Sequence, residues 1–366
     1  MIRTVGVEEE LLLVDAESGE LQDLSAAVLA AVSHEALRGG NNGVFQAELQ
    51  RQQLEFATSP RKTMDDLAAE VRRWRAEAAH RAEAMGAAVA ALATSPLPVT
   101  PSLGFSERHR WMGDRFGLTA QEQLTGGCHV HVSVVSDEEG IAVLDRIRPW
   151  LAVLLALSAN SPFWQGRDSQ YDSYRSQVWG RWPSAGPTEI FGSPDVYHRL
   201  VQTLLDTGVL RDEGMVYFDA RLSKRYPTVE IRAADVCLDA STTVLLAALA
   251  RGLVETASRE WATGAQPDRH HVTTLRMASW QAGRYGLDGQ LVHPLTMRPA
   301  PAEAVVHALV DHVRDALHDA GDLALVQEAI TSLLTTGNGA RVQKDLLERT
   351  GSLRAVVKEC VKRTQT

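Results

Sequence analysis

The feature that most constrains the fold is a set of short stretches in which acidic, basic or histidine side chains recur at the spacing of a β-strand. These stretches are residues 6–10, 48–55, 129–131, 219–221 and 230–232. Successive side chains of a strand point to opposite faces, so every second residue shares a face. Val7 and Leu11 have the opposite parity to Glu8 and Glu10, and Val130 lies between His129 and His131. The pattern therefore predicts a sheet with one apolar face and one polar face.

The two glutamates of the second stretch do not fit a regular strand. Residues 2–14 predict the first strand and residues 44–57 a second strand or paired segment. Glu48 and Glu55 differ in parity, so a regular strand would direct them to opposite faces. We expect a β-bulge to restore both to the polar face, as bulges often do beside active sites. The alternative is that only one of them lines the site.

The remaining chain predicts a mixture of helices, strands and irregular segments. Thr63, with Asp66 three residues on, is typical of a capped helix start. The expected elements are a helix over 63–93, a connector over 94–119, a strand over 128–135, a helix over 140–160, an irregular segment over 161–194, strands over 215–222 and 227–236, and a largely helical third from about 239 to 366. We expect one domain spanning residues 1–366, since no linker or repeat divides the chain.

Composition narrows the class of partner. A formal net charge of -9 and a pI near 5.8 supply no basic field for long nucleic acid. The three cysteines are scattered and odd in number, which argues against a disulfide framework and fits a reducing cytoplasm. Apolar runs are shorter than the roughly 20 residues of a membrane span, and no signal peptide is visible. We expect a cytoplasmic protein acting on small molecules, with neither nucleic acid nor membrane as partner; a homo-oligomer stays open.

The side chains on the predicted polar face suit a hard divalent cation. Glu8, Glu9 and Glu10 would cost several kcal/mol if buried without partners. Charge on a solvated edge strand would explain them without a ligand, and His129 and His131 could simply be hydrogen-bonded in a polar layer. The apolar residues that flank the glutamates indicate a half-buried strand, which favours cations. Carboxylate-rich sites with few imidazoles suit Mg²⁺ or Mn²⁺ better than zinc.

Arg232 shares its predicted face with Glu230, which places a cation among candidate metal ligands. A plain ion pair between these two residues would explain the arrangement. The other interpretation is an anion shared between metal ions and arginine, such as a transferring γ-phosphoryl group. Arg221 could extend such a phosphate-binding surface.

The segment 161–194 concentrates Trp, Tyr and Arg. Aromatic residues in loops usually pack as satellite core. An irregular run of this length is, however, more often a binding loop than filler. In that case Arg167, Arg175 and Arg181 could clamp a substrate carboxylate, with Trp164 in the pocket wall.

Several spaced blocks together resemble the type 2 glutamate-cysteine ligase family, also called carboxylate-amine ligases, of the glutamine synthetase-like superfamily. The blocks are GVEEELLLVD, QRQQLEFAT, GGCHVHVSV, LSANSPFWQGRDSQYDSYR, RWPSAGP, TVEIRAADV, RYGLDG and GSLRAVVK. The resemblance covers nearly the whole chain. It implies an α+β fold in which helices pack a curved, mainly antiparallel sheet whose concave face holds the metal ions and ATP.

The resemblance also implies roles for individual residues. The implied metal ligands are Glu8, Glu10, Glu48, Glu55, His131 and Glu230. Arg232 looks like the phosphate-stabilising arginine, Glu55 belongs to the catalytic centre as well, and His129 joins the substrate- and nucleotide-binding set with Arg221 and the loop residues. The implied reaction activates a carboxylate as an acyl phosphate with ATP and Mg²⁺ or Mn²⁺, and an amine then displaces phosphate.

The implied substrates are L-glutamate and L-cysteine, but pocket shape rather than any motif decides between substrates. Three alternatives therefore stay open. The chain could be a ligase of another amine or another acid, or it could act as a phosphotransferase that forms no amide. It could also be a regulatory protein that binds a metal or a nucleotide without turnover. The intact acidic set argues against the last of these.

Overall fold

The computed structural model describes residues 2–36 and 45–366. The strands are β1 (Val5–Asp15), β2 (Phe45–Ala47), β3 (Gln53–Ala57), β4 (Ala87–Ala90), β5 (Gly127–Ser133), β6 (Phe163–Trp164), β7 (Arg167–Asp168), β8 (Ala220–Leu222), β9 (Thr228–Asp235), β10 (Gln290–Val292) and β11 (Pro299–Pro301). The helices are α1 (Ser25–Ala36), α2 (Met64–Glu83), α3 (Glu107–Phe116), α4 (Leu118–Gln121), α5 (Asp137–Ile147), α6 (Leu151–Ser158), α7 (Arg175–Trp179), α8 (Pro194–Asp206), α9 (Ala240–Ala262), α10 (Val272–Tyr285), α11 (Ala302–His312), α12 (Arg314–Ala320), α13 (Leu323–Thr336), α14 (Gly339–Thr350) and α15 (Leu353–Thr364).

A seven-stranded antiparallel sheet organises the molecule, in the order β2-β3-β1-β5-β9-β8 with β4 also paired to β1. The register of β1 sets Glu10 opposite Glu55 of β3 and Glu8 opposite His129 of β5. Directly opposed residues of antiparallel strands share a face. The sheet and the surrounding helices confirm the expected α+β class with a mainly antiparallel sheet.

The apolar side of the sheet lies against helices. Val7, Leu11 and Val130 are buried there, in a hydrophobic cluster that also contains residues of α2, α6 and α9. Their burial removes apolar area from water at a gain of roughly 25 cal/mol per Å². The helices thereby hold the central strands rigidly, and the opposite side is left for polar side chains. We call that side, which carries Glu8, Glu10, His129, His131 and Glu230, the polar face.

The expected bulge between Glu48 and Glu55 was wrong. Residues 45–57 form a hairpin-like pair, β2 and β3, with Gln46 opposite Glu55, and Glu48 follows the end of β2. Residue 44, the predicted start, lies outside the described residues. Because the chain reverses between the two glutamates, their parity in one strand has no meaning. A register irregularity does occur between Cys128 and Val130 of β5, beside β9, so His129 sits at this shift.

Other boundaries also differ from prediction. Thr63 caps α2 as expected, accepting from Asp66 N at 3.2 Å, but the helix ends at Glu83. Gly86, with φ of 74°, ends the helical direction and leads the chain into β4. β4 is an alanine-rich segment that was predicted as helix but pairs with β1 in the sheet. The segment predicted as irregular contains β6, β7 and α7. From 239 onward the chain is helical, as predicted, apart from the β10–β11 hairpin.

The predicted helix over 140–160 begins earlier, at Asp137 with Ser136 as its cap, and is interrupted by the 3₁₀ turn Arg148–Trp150. Pro149 lacks the N–H that a continuous helix needs, which explains the interruption. Across the described residues, no helix combines the length and apolarity needed to cross a membrane.

Candidate active site

Three side chains of the polar face converge as a potential cation site. Glu8, His131 and Glu230 each offer a ligand atom, and these atoms lie within 4.8 Å of one another. The sheet register creates this proximity, because His131 of β5 stands opposite Glu230 of β9 while β1 carries Glu8 alongside. Two carboxylates and one imidazole form a donor set suited to Mg²⁺ or Mn²⁺.

The two histidines of β5 turn ring nitrogens toward these carboxylates. His129 Nδ1 lies 3.2 Å from Glu8 Oε2, and His129 Nε2 lies 3.8 Å from Glu10 Oε1. His131 Nε2 lies 3.3 Å from Glu8 Oε1, while Thr228 Oγ1 orients the other ring nitrogen at 3.1 Å. Both Nε2 atoms are buried without a hydrogen-bond partner among the described residues. Unsatisfied buried nitrogens beside carboxylates fit a bound cation.

A second acidic group adjoins the first, at the β1–β3 side of the polar face. Burial, with repulsion from Glu48, raises the pKa of Glu10 to about 8. Burial and a hydrogen bond with Glu48 raise the pKa of Glu55 well above its usual range. Carboxylates this crowded cannot all ionise unless a cation joins them. Glu10, Glu48 and Glu55, all predicted as metal ligands, thus lie in one acidic group that a cation would stabilise.

The remaining ionisable groups are set by neighbouring charge. Burial opposes ionisation of Glu8, but His129 and His131 outweigh it and hold the pKa of Glu8 well below its usual range. Burial likewise opposes ionisation of Glu230, yet Arg232 and Arg221 hold its pKa far below the ordinary value. Burial, with the positive charge of Arg232, lowers the pKa of His129 to about 4. His129 is therefore a neutral imidazole near pH 7, the form that binds metal.

Arginines border the carboxylates on the β8–β9 side. Arg221 holds Glu230 through two bonds, Nε to Oε2 at 2.8 Å and Nη2 to Oε1 at 3.1 Å. Arg232 also contacts Glu230, and its guanidinium stands over the rings of Trp179 and Tyr217 at 5.7 and 6.0 Å. Glu230 thus has two arginine partners, and the negative charges of Glu10 and Glu8 also act on Arg232. The plain ion pair is present, but by itself it does not account for the second cation.

Arg175, at the start of α7, brings a third guanidinium to the polar face. It is 2% exposed, and a Cβ atom at Gly127 would lie only 2.5 Å from its Nη2. Its contacts are long, at 3.4 Å to Arg232 O and 3.8 Å to Asp235 Oδ1, and its Nε has no hydrogen-bond partner in the described chain. A buried, weakly partnered guanidinium beside Glu10 and His129 is available to an anionic ligand.

The other predicted loop residues lie apart from this cluster. Arg181 pairs with Glu122 at 2.5 Å, and Arg167 is exposed on β7. Trp164 packs against Tyr174 with ring centroids 5.6 Å apart. Substrate binding by these three residues stays a prediction, and their contacts give it no support.

Sequence reasoning missed two contributors to the site. Gly127 has no side chain, so the guanidinium of Arg175 can lie against its backbone. The Gly126-Gly127 pair at the start of a strand was the sequence signal for this close approach. Thr228 orients His131, and it shares the alternation of Glu230 and Arg232. Together the cluster can bind a divalent cation on its acidic side and an anion between that cation and the arginines.

Comparison with known proteins supplies a family for this arrangement. The family model described as "Glutamate-cysteine ligase family 2 (GCS2)" matches residues 4–359. A Streptomyces avermitilis protein named "Putative glutamate--cysteine ligase 2-1" is 64% identical over 364 residues, covering 100% of both chains. A Streptomyces coelicolor protein named "Putative glutamate--cysteine ligase 2" is 63% identical, covering 100% of this chain and 99% of its own.

Solved structures share the fold at low sequence identity. The glutamate-cysteine ligase of Francisella tularensis in complex with AMP superposes with a TM-score of 0.69 at 14% identity, covering 99% of this chain and 88% of its own. The bifunctional glutathione synthetase of Pasteurella multocida gives a TM-score of 0.70 at 15% identity, covering 99% of this chain and 52% of its own. At such identities the similarity concerns the fold alone.

Proposed function

Since this chain belongs to glutamate-cysteine ligase family 2, we propose that it is an ATP-dependent carboxylate-amine ligase that uses Mg²⁺ or Mn²⁺. L-Glutamate is the proposed acid and L-cysteine the first candidate amine, as the names of its relatives suggest. The Francisella structure, described as a complex with AMP, supports an adenine nucleotide as co-substrate.

One observation carries the proposal: a crowded carboxylate group adjoins three guanidinium groups on one face of a rigid sheet. Glu8, Glu10 and Glu230 lie on the acidic side, and Arg232 and Arg175 lie next to them. Phosphoryl transfer from ATP requires mainly positioning and electrostatic stabilisation of the γ-phosphoryl group. Metal ions and arginines supply this without a protein nucleophile.

The residues present fit the metal. Glu8, His131 and Glu230 would hold one ion, and the crowding of Glu10, Glu48 and Glu55 favours a second. The Nε2 atoms of His129 and His131, which have no hydrogen-bond partner in the described chain, could serve as further ligand atoms. A bound Mg²⁺ or Mn²⁺ would offset the repulsion between a substrate carboxylate and the triphosphate.

The arginines have separate proposed roles. Arg232 donates to the oxygens of the transferring phosphoryl group, and the rings of Trp179 and Tyr217 hold its guanidinium in place. Arg175 binds an anionic substrate group across Gly127. Arg221 keeps Glu230 ionised and oriented.

The proposed reaction has two steps. A substrate carboxylate oxygen attacks the γ-phosphorus of ATP, and the bond to ADP breaks to leave an acyl phosphate. The amine nitrogen then attacks the acyl carbon, phosphate leaves, and the nitrogen loses a proton to give the amide. Holding the reactants in line is the protein's principal contribution.

We also propose that residues 1–366 form a single ligase domain, since one hydrophobic cluster joins β1 to residues of α13. Among the described residues, Cys128, Cys237 and Cys360 are free thiols, which supports the proposed cytoplasmic location.

The test is to incubate the purified protein with ATP, Mg²⁺, L-glutamate and a panel of amines that includes L-cysteine, measuring ADP and amide together. Equal amounts of ADP and a γ-glutamyl amide are expected. ADP without amide across the panel would indicate a phosphotransferase instead. A protein that stays inactive with glutamate but turns over with another acid would be a ligase of a different pair.

A further inference from the structure

A carboxylate that no proposed step uses lies at the β8 end of the polar face. Asp219 immediately precedes β8, and its backbone oxygen accepts from Arg232 N at 2.8 Å. This pairing continues the register in which Arg221 opposes Glu230, so Asp219 shares the polar face with Arg232. Asp219 therefore lies just beyond the proposed phosphoryl-binding arginine, on the side away from the metal ligands.

The carboxylate of Asp219 has no ion pair or hydrogen bond among the described residues, although its side chain is half-buried. Burial raises the pKa of Asp219 to about 6, and the positive charges of Arg175 and Arg276 act in the opposite direction. The carboxylate of Asp219 is thus a hydrogen-bond acceptor to which no described residue donates.

Arg276 of α10 completes the arrangement. Its Nη2 would lie 3.7 Å from a Cβ atom at Gly186, and Gly186 O accepts from Asp219 N at 2.9 Å. Gly186 has φ of 114°, a conformation that favours glycine, so the loop here approaches closely without a side chain. The exposed guanidinium of Arg276 has no ion pair in residues 2–36 and 45–366. An acid and a cation that make no ion pair within the described part of the chain thus flank one small loop, and their charges attract each other.

We propose that Asp219 binds the α-ammonium group and Arg276 the α-carboxylate of an amino-acid substrate. An α-amino acid carries one positive and one negative group on the same carbon, and the pair offers the opposite sign to each. The inference rests on the proposed ligase function, because it places an amino acid beside Arg232. Either the acid substrate or the amine acceptor has this chemistry, and two sets of analogues separate them.

The experiment measures binding by calorimetry with Mg²⁺ and β,γ-methylene-ATP present. The first set is L-glutamate, 4-aminobutyrate, which lacks the α-carboxylate, and glutarate, which lacks the amine. The second, measured with glutamate also present, is L-2-aminobutyrate, propylamine and butyrate. Asp219→Asn should weaken the amino acid of one set by about 10-fold or more and leave the analogue without an amine unchanged. Arg276→Ala should weaken the same amino acid and spare the analogue without a carboxylate.

Matched controls remove a charge elsewhere. The first control is Arg284→Ala. Arg284 lies on the same helix as Arg276, but its guanidinium stands over the rings of Tyr171 and Tyr285. The second control is Asp195→Asn, at an exposed residue near the start of α8. Both should bind every analogue as the wild type does. The set that responds identifies which substrate the pair holds.

Three results would overturn the proposal: no binding of either amino acid by the wild type, equal losses for all three members of a set, or no change in either variant. The ADP assay with ATP and glutamate is run separately. If the wild type forms no ADP but the two variants lose amino-acid binding selectively, the ligase function is refuted and the role of Asp219 and Arg276 is supported.

Discussion

Three consecutive glutamates in β1 lie on two sides of the same sheet and meet very different surroundings. Glu9 points to the helix-covered side, where Arg75 donates to both of its oxygens at 2.8 Å and Thr243 Oγ1 donates as well. Arg75 in turn donates to Cys237 O and Leu238 O. Every polar atom of this group has a partner, so the group is complete without a ligand.

Glu8 and Glu10 face the other way, into a cluster where carboxylates crowd one another and two ring nitrogens have no hydrogen-bond partner within residues 2–36 and 45–366. Both faces bury charge, but only one is satisfied by the protein itself. Glu9 has a protein cation at hydrogen-bond distance from both of its oxygens and is a structural carboxylate. Glu10 is instead crowded by Glu48, and we propose that a cation from outside the protein satisfies it.

Removing a charge from the unsatisfied face should eliminate activity without unfolding the protein. Glu55→Gln and Glu230→Gln are each expected to lower kcat by roughly 1,000-fold or more, because a ligand of the proposed metal ions is lost. Turnover is followed by ADP release, and folding by circular dichroism and thermal melting. Near-wild-type rates in both variants would refute the metal assignment.

Removing the charge from the satisfied face should instead destabilise the fold. Glu9→Ala leaves the 1%-exposed Arg75 without its carboxylate, and breaking a buried pair in this way costs about 3–5 kcal/mol. Urea denaturation measures the free energy of unfolding. The double variant Glu9→Gln with Arg75→Met is the control, and it should recover part of the loss. A fully stable Glu9→Ala with reduced metal binding would contradict the structural role.

Arg232→Ala tests whether Arg232 does more than neutralise Glu230. Arg232 contacts this carboxylate, but Arg221 already donates two hydrogen bonds to it. We expect kcat to fall by about 100- to 1,000-fold, as when one transition-state donor is removed, with the Kd for ATP nearly unchanged. Arg232→Lys should recover little, because an ammonium lacks the planar fork. A change in ATP affinity alone would exclude the transition-state role.

Adding metal should have the smallest effect and should depend on pH. Mg²⁺ or Mn²⁺ at about 100 times its Kd is expected to stabilise the fold by roughly 2.7 kcal/mol, seen as a higher Tm. Burial raises the pKa of Glu10 to about 8, so below that pH the metal must displace a proton. Metal affinity should therefore rise with pH up to about 8 and then level.

Without metal, the stability of the fold should change with pH in the opposite direction to metal affinity. A carboxyl group whose folded pKa lies above its unfolded value binds its proton more tightly when folded, so the contribution of Glu10 to stability is lost as pH rises from about 4.5 to about 8. Glu10→Gln should flatten both pH dependences. An unchanged pH profile of metal binding in that variant would show that another group holds the proton.

Much of the site could be predicted because its strands are locally regular. The alternation in β1, β5 and β9 correctly grouped Glu8 with Glu10, His129 with His131, and Glu230 with Arg232. The loop arginines could not be separated in this way, because no period relates a loop side chain to a face. Of the three predicted, the structure brings only Arg175 to the cluster, while Arg181 pairs with Glu122.

The amino-acid pattern was enough to recognise the family. It was also enough to assign strand residues to a face, because a strand's period of two is a property of the backbone. Which charges have a partner became evident from the three-dimensional arrangement. Arg75 reaches Glu9 from 66 residues away, Arg175 fits over Gly127, and Glu48 meets Glu55 across a chain reversal rather than a bulge. Whether a buried charge has a partner depends on distances between elements remote in sequence, and local periodicity carries no information about those distances.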